Sequence, residues 1–153
     1  MIEAGEQAPD FTLLDQDGKA VSLADFRGAT VVLAFYPADF SPGCTDQLTV
    51  YQDVLGEFES RGVRLVAISV DSAFCHKAFQ NHLHLSIPLL ADFHPKGEVA
   101  QAYGVWSEDW GMSARALVMV GPDGRVEWSY QPPPLELPGP ELIFAALDQR
   151  SAA

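Results

Sequence analysis

Cys44 stands in the stretch Tyr36-Pro37-Ala38-Asp39-Phe40-Ser41-Pro42-Gly43-Cys44-Thr45, after an apolar run ending at Phe35 and ahead of the periodic segment Gln47, Leu48, Val50, Tyr51, Val54, Leu55, Phe58. That placement is a strand-to-helix junction. The first turn of a helix has unpaired backbone N–H groups and the positive end of the dipole, both of which favour negative charge on sulfur. The chemistry on offer is nucleophilic attack by a thiolate. Pro37 and Pro42 restrict the backbone and Gly43 allows close approach, so the loop reads as shaped around a ligand. Ser41, three residues before Cys44, can turn its hydroxyl toward the sulfur or toward an incoming oxygen, donating and accepting at once. The plain alternative for Cys44 is an inert buried thiol. Asp39 and Asp46 flank the nucleophile and oppose negative charge there, so the nucleophile reading requires their side chains to point away.

Several elements must position this loop. The runs Thr30 to Phe35 and Leu65 to Val70 read as central strands covered on both faces by intervening helices. The long helix is expected from near Cys44 to just before Gly62, with Arg61 at its negative end. Asp71 or Ser72 can cap the helix that carries Cys75, Ala78 and Phe79. Two arms around Asp17-Gly18 predict an N-terminal hairpin, and Ala24 to Gly28 a short turn feeding the first central strand. A short strand is expected near Leu89, a brief helix over Gly97 to Tyr103, and an aromatic, partly acidic loop from Trp106 to Met112. The clearest hairpin joins Arg115 to Val120 with Arg125 to Tyr130 through Gly121-Pro122-Asp123-Gly124. Gln131-Pro132-Pro133-Pro134 cannot continue a paired strand and should leave the sheet as an extended linker. A helix over Pro140 to Arg150 closes the chain. The pattern is that of an α/β domain of the thioredoxin-like kind.

Pro37, Ser41 and Cys44 together form P-x-x-x-S-x-x-C, which resembles the active-site signature of the peroxiredoxins, thiol-dependent peroxidases. Val70 to Phe79 resembles that family's strand-to-helix segment, and Pro88 to Asp92 and Ala102 to Val105 follow in the family's order. The resemblance runs from about Gly5 to Tyr130 and is nearest to the alkyl hydroperoxide reductase E type, with the bacterioferritin-comigratory type as neighbour. It implies a thioredoxin-like fold with a central mixed sheet, flanking helices and an N-terminal hairpin, and it implies that Cys44 is oxidised by hydroperoxides to a sulfenic acid. It also implies that Arg115 is a second active-site cation, stabilising thiolate and departing oxygen. Pro37 would shield the sulfur, Ser41 would bond the peroxide, and the N–H groups of Gly43 and Cys44 would complete the oxygen site. Gln47 sits where the family has Glu or Gln, and would orient Arg115 or the loop; a helix-surface glutamine is the alternative.

Cys75 does not match a resolving position of the family, whose members usually have Ser or Thr there. The expected mechanism is therefore one-cysteine, with an external low-molecular-weight thiol or redoxin as reductant. A Cys44–Cys75 disulfide, requiring local unwinding, stays open. Trp106, Trp110 and Phe40 are expected either as an apolar rim for organic hydroperoxides or as part of a homodimer interface.

The 153 residues are the size of one domain, spanning 1–153, and suffice for a core without disulfides. A net charge of −12 disfavours nucleic acid and anionic membrane surfaces as partners. No leader or membrane span is apparent, and two cysteines without a CxxC pair suggest free thiols in the cytoplasm. The histidines and cysteines show no zinc-type spacing, so neither metal nor cofactor is expected. A redox sensor that uses Cys44 oxidation to change a partner interface is a second, non-enzymatic reading. A thioredoxin-type disulfide exchanger is a third, weakened by the missing second thiol.

Overall fold

The computed structural model describes residues 1–152. Its organising element is strand β3 (Thr30–Phe35), six consecutive buried residues inside a mixed sheet. β3 pairs in parallel with β4 (Val63–Ser69), which pairs in parallel with β5 (Leu89–Ala91). On the other side β8 (Ala116–Val120) runs antiparallel to β3 and continues as a hairpin into β9 (Val126–Tyr130). The N-terminal hairpin of β1 (Thr12–Leu14) and β2 (Ala20–Ser22) adds the far edge through an antiparallel contact of β1 with β5. This is the mixed sheet, with an N-terminal hairpin, that the resemblance implied.

Strand alternation divides the core into two layers. Val31, Leu33 and Phe35 pack on one face with Phe11, Phe26, Tyr103 and Val105, near α4 (Glu98–Ala102). Val32, Ala34 and Tyr36 pack on the other with Cys44, Leu48 and Tyr51 of α1 (Pro42–Asp53), Phe58 of α2 (Leu55–Ser60), Phe79 of α3 (Ala73–Leu83) and Ile143 and Leu147 of α5 (Pro140–Ala152). Each large side chain so buried stabilises the fold by roughly 1.5–3 kcal/mol before the entropy of ordering it is counted. Cys44 is therefore held by the second core layer, not by the loop alone.

Two local expectations need correction. The helix expected as one piece starts two residues before Cys44 and breaks at Val54 (φ −111°, ψ 12°), whose N–H turns back to the Tyr51 and Gln52 carbonyls. The break redirects α2 so that Phe58 stacks on Phe144 of α5, ring centroids 4.6 Å apart, and Arg61 pairs with Asp148 at 2.9 Å. The segment Trp106 to Met112 is not only loop: β6 (Trp106–Ser107) and β7 (Met112–Ser113) pair as a small antiparallel ladder. Ser72, one of the two candidates, caps α3 by accepting from the Cys75 N–H at 3.2 Å. Among the described residues no helix is long and apolar enough to cross a membrane.

Candidate active site

The register of the central strands builds the site. Phe35, the last residue of β3, faces Ala116, the first of β8. Arg115 therefore emerges where β3 gives way to the Pro37–Ser41 loop, although the two segments lie far apart in sequence. The loop reaches α1 through Phe40 in the left-handed region (φ 66°), a conformation that costs a bulky residue about 1 kcal/mol or more. Its ring offsets this by packing against Phe79 and His82 of α3, centroids 5.0 and 5.8 Å away. Phe40 thus serves the loop's outer side and does not join Trp110 in a rim.

Cys44 is the third residue of α1 and fully buried. Pro42 has no N–H and no side chain caps this end, so the N–H groups of Gly43 and Cys44 are left without helical acceptors beside the sulfur. Arg115 Nη1 lies 3.5 Å from Cys44 Sγ and also donates to Gln47 Oε1. Gln47 is buried, which removes the surface alternative, and its Nε2 donates to Tyr51 Oη at 3.1 Å. Tyr51 in turn donates to the Pro138 carbonyl at 2.7 Å. Burial pushes the Tyr51 phenol up to about 12, so it remains a donor at neutral pH.

Gly43 leaves room for the guanidinium. A Cβ there would meet Arg115 Nη2 at 3.2 Å and Leu137 Cδ2 at 3.4 Å, so glycine lets the guanidinium lie against the first turn of α1. Ser41 does not turn toward the sulfur. Its hydroxyl donates to the Ala38 carbonyl at 3.0 Å, which leaves its oxygen free to accept from a ligand.

Asp39 points away from Cys44, as the thiolate reading needs. Its carboxylate accepts from Tyr36 Oη at 2.6 Å and lies 2.7 Å from His76 Nδ1, while His76 Nε2 lies 3.0 Å from the Leu90 carbonyl. Its own N–H donates to Asp71 Oδ2 at 2.8 Å. The loop is thereby fastened to α3 and β5 by buried polar groups. Asp46 is exposed on α1.

A cavity of about 620 Å³ opens beside these residues. Pro37, Ser41, Gly43 and Arg115 form its polar end, and Trp110, Met112, Leu135 and Leu137 much of its apolar wall. The proline run does leave the sheet as expected, but it then passes over the site and closes one side of this cavity. Arg115 touches both the cavity and the Cys44 sulfur. Trp106 lies away from this wall, against Gly97 and beneath the Lys96 ammonium.

Cys75 belongs to a different environment. It is half-buried, with its Sγ 3.9 Å from Asp71 Oδ1, and Asp39, Asp71 and Cys75 bring ligand-type atoms within 4.8 Å of one another. Burial, reinforced by the charges of Asp39 and Asp71, pushes the Cys75 thiol up to about 12. In a Cys44→Ser variant at pH 8, only about one thiol in 10,000 at this position should be ionised, so its alkylation by iodoacetamide should be slow and rise about tenfold per pH unit toward pH 11. The folded state holds this proton more tightly than the unfolded chain, so the stability it contributes is present below the ordinary thiol range and is lost as pH rises toward 12. Alkylation with a midpoint near pH 8 to 9 would contradict this environment.

The sequence reading missed Tyr51 as a polar residue, His76 as the partner of Asp39, and Leu137 and Pro138 as parts of the site. Its signal for Tyr51 was helical periodicity, which cannot distinguish a phenol that packs from one that also donates.

The sequence and the fold have counterparts among known proteins. The chain matches the AhpC/TSA family over residues 4–129. It is 38% identical over 148 residues to alkyl hydroperoxide reductase E of Mycobacterium tuberculosis, covering 96% of this chain and 97% of that one. Chloroplastic peroxiredoxin Q of Oryza sativa subsp. japonica is 39% identical over 130 residues; these are 84% of this chain, which spans only 59% of the rice protein's length. Among solved structures, peroxidoxin BcpB of Mycobacterium tuberculosis superposes with a TM-score of 0.85 at 26% identity, covering 100% of this chain and 99% of that one.

Proposed function

Because the chain belongs to the AhpC/TSA family of peroxiredoxins, we propose that it reduces hydrogen peroxide and organic hydroperoxides through Cys44, with an external thiol or redoxin as reductant. The observation that carries this is the Arg115 guanidinium 3.5 Å from the Cys44 sulfur at the end of a cavity. The thiolate attacks the distal peroxide oxygen, an S–O bond forms as the O–O bond breaks, and the departing oxygen leaves as water or alcohol after gaining a proton. Arg115 stabilises charge on sulfur before attack and on the departing oxygen during it. Ser41, its proton committed to Ala38, accepts the hydroperoxide O–H and so orients the nucleophile's target. Pro37 walls the site from bulk water.

The resulting sulfenic acid is reduced by two external thiols. The first forms a mixed disulfide and water; the second releases Cys44 and a new disulfide. Cys75 is a poor internal alternative, because its thiol is pushed up to about 12 beside Asp71. The apolar cavity wall favours substrates with an organic tail, and two cysteines without a disulfide framework fit a reducing compartment such as the cytoplasm. The whole chain is read as one domain that acts as a homodimer, which would cover exposed apolar side chains such as Phe74 and Phe93.

The test is steady-state consumption of hydrogen peroxide and cumene hydroperoxide by purified protein with a low-molecular-weight thiol and, separately, a redoxin system. Turnover with at least one reductant is expected. Cys44 oxidation without turnover under any of them would instead favour the sensor reading.

A further inference from the structure

The hydrogen bonds behind Arg115 have a direction, and that direction starts outside the loop motif. The Pro138 carbonyl can only accept, so the single proton of Tyr51 Oη, 2.7 Å away, is committed to it. Tyr51 therefore presents lone pairs to Gln47. An amide facing lone pairs must turn its nitrogen toward them, which agrees with Nε2 at 3.1 Å, and its oxygen then faces Arg115 Nη1. Gln47 and Tyr51 are 3% and 0% exposed, so no bulk water substitutes for either partner.

From this chain of donors we infer that Tyr51 is a positioning residue for the peroxidase reaction: with Pro138, it fixes the Gln47 amide in the one orientation that holds Arg115 against Cys44. Reversed, the amide would set its NH₂ against a guanidinium N–H, two donors facing each other, and Arg115 would be driven off the sulfur. The same bond couples the site to the segment that follows the proline run, because Leu137, adjacent to Pro138, lines the same cavity as Gly43 and Arg115. The inference rests on the peroxidase reading for its consequence but on the amide's asymmetry for its logic.

That asymmetry supplies the test. A carboxylate has two equivalent acceptors and needs no partner to orient it. Tyr51→Phe is therefore made in two backgrounds, native Gln47 and Gln47→Glu, each also carrying Cys75→Ser so that Cys44 is the sole thiol. Two rates are read at pH 7: oxidation of Cys44 by hydrogen peroxide and its alkylation by iodoacetamide. In the Gln47 background Tyr51→Phe is expected to slow both about tenfold, the scale of one lost hydrogen bond to a buried group. In the Gln47→Glu background it should change neither by more than about twofold. Equal slowing in both backgrounds would overturn the inference, since the effect would then come from packing around the lost hydroxyl. No slowing with Gln47 present would overturn it as well. Should the parent protein prove unreactive to peroxides, the peroxidase reading falls, while the alkylation rates still decide whether Tyr51 orients the amide.

Discussion

Replacement of Cys44 by serine is expected to abolish peroxide consumption with every reductant, while the fold survives. A serine hydroxyl does not attack the O–O bond at neutral pH, because it lacks both the ionised form and the polarisable sulfur. The change is small in volume, the position is fully buried in the second core layer, and Arg115 stands ready to hydrogen-bond the new oxygen. Circular dichroism and the thermal midpoint should therefore stay near the parent values, and residual activity should fall to the uncatalysed rate. Activity retained above that level would move the nucleophile elsewhere, and Cys75 is the other cysteine.

Replacement of Arg115 by alanine is expected to slow Cys44 oxidation by about 100- to 1,000-fold, the usual cost of removing one donor aimed at developing charge. The loss should appear in the second-order rate constant for hydrogen peroxide as well as for organic hydroperoxides, because the guanidinium addresses the sulfur and the peroxide oxygens rather than the tail. Lysine at this position should restore little. It carries the charge but lacks the planar guanidinium whose Nη2 lies beside Gly43 while Nη1 serves both Gln47 and the sulfur. Stopped-flow measurement of the oxidation step separates this from any change in reduction. A rate within about threefold of the parent would remove Arg115 from the mechanism.

What the sequence made legible follows the range of the interactions. β3 was read at its observed bounds, Thr30–Phe35, because six buried residues in a row leave a continuous apolar signal. The β8–β9 hairpin and a cap at Asp71 or Ser72 rest on local chemistry and were equally visible, though only the structure chose Ser72. Cys44, Ser41, Pro37, Gly43, Arg115 and Gln47 were named from motif spacing, and the structure gathers them around one cavity or its floor. The bonds that hold them were not legible. Tyr51 meets a carbonyl 87 residues away, and His76 meets a carboxylate 37 residues away. No window of sequence contains both partners. For Ser41 the sequence left the hydroxyl open between the sulfur and an incoming oxygen; its proton goes to the Ala38 carbonyl, which only the turn geometry brings within 3.0 Å, and its oxygen stays free to accept. The break at Val54 was hidden for the opposite reason: the apolar period runs on through it, and the kink serves packing of Phe58 on Phe144.

The most direct measurement is the intact mass of the protein after one equivalent of hydrogen peroxide in the presence of a sulfenic-acid trap, on the parent and on Cys75→Ser. A single trap adduct on Cys44 in both proteins is the predicted result, and it would establish the one-cysteine route. Loss of two hydrogens in the parent, with trapping confined to Cys75→Ser, would contradict the role given to Cys75 and make it the resolving thiol. An unmodified Cys44 in both would contradict the peroxidase assignment itself.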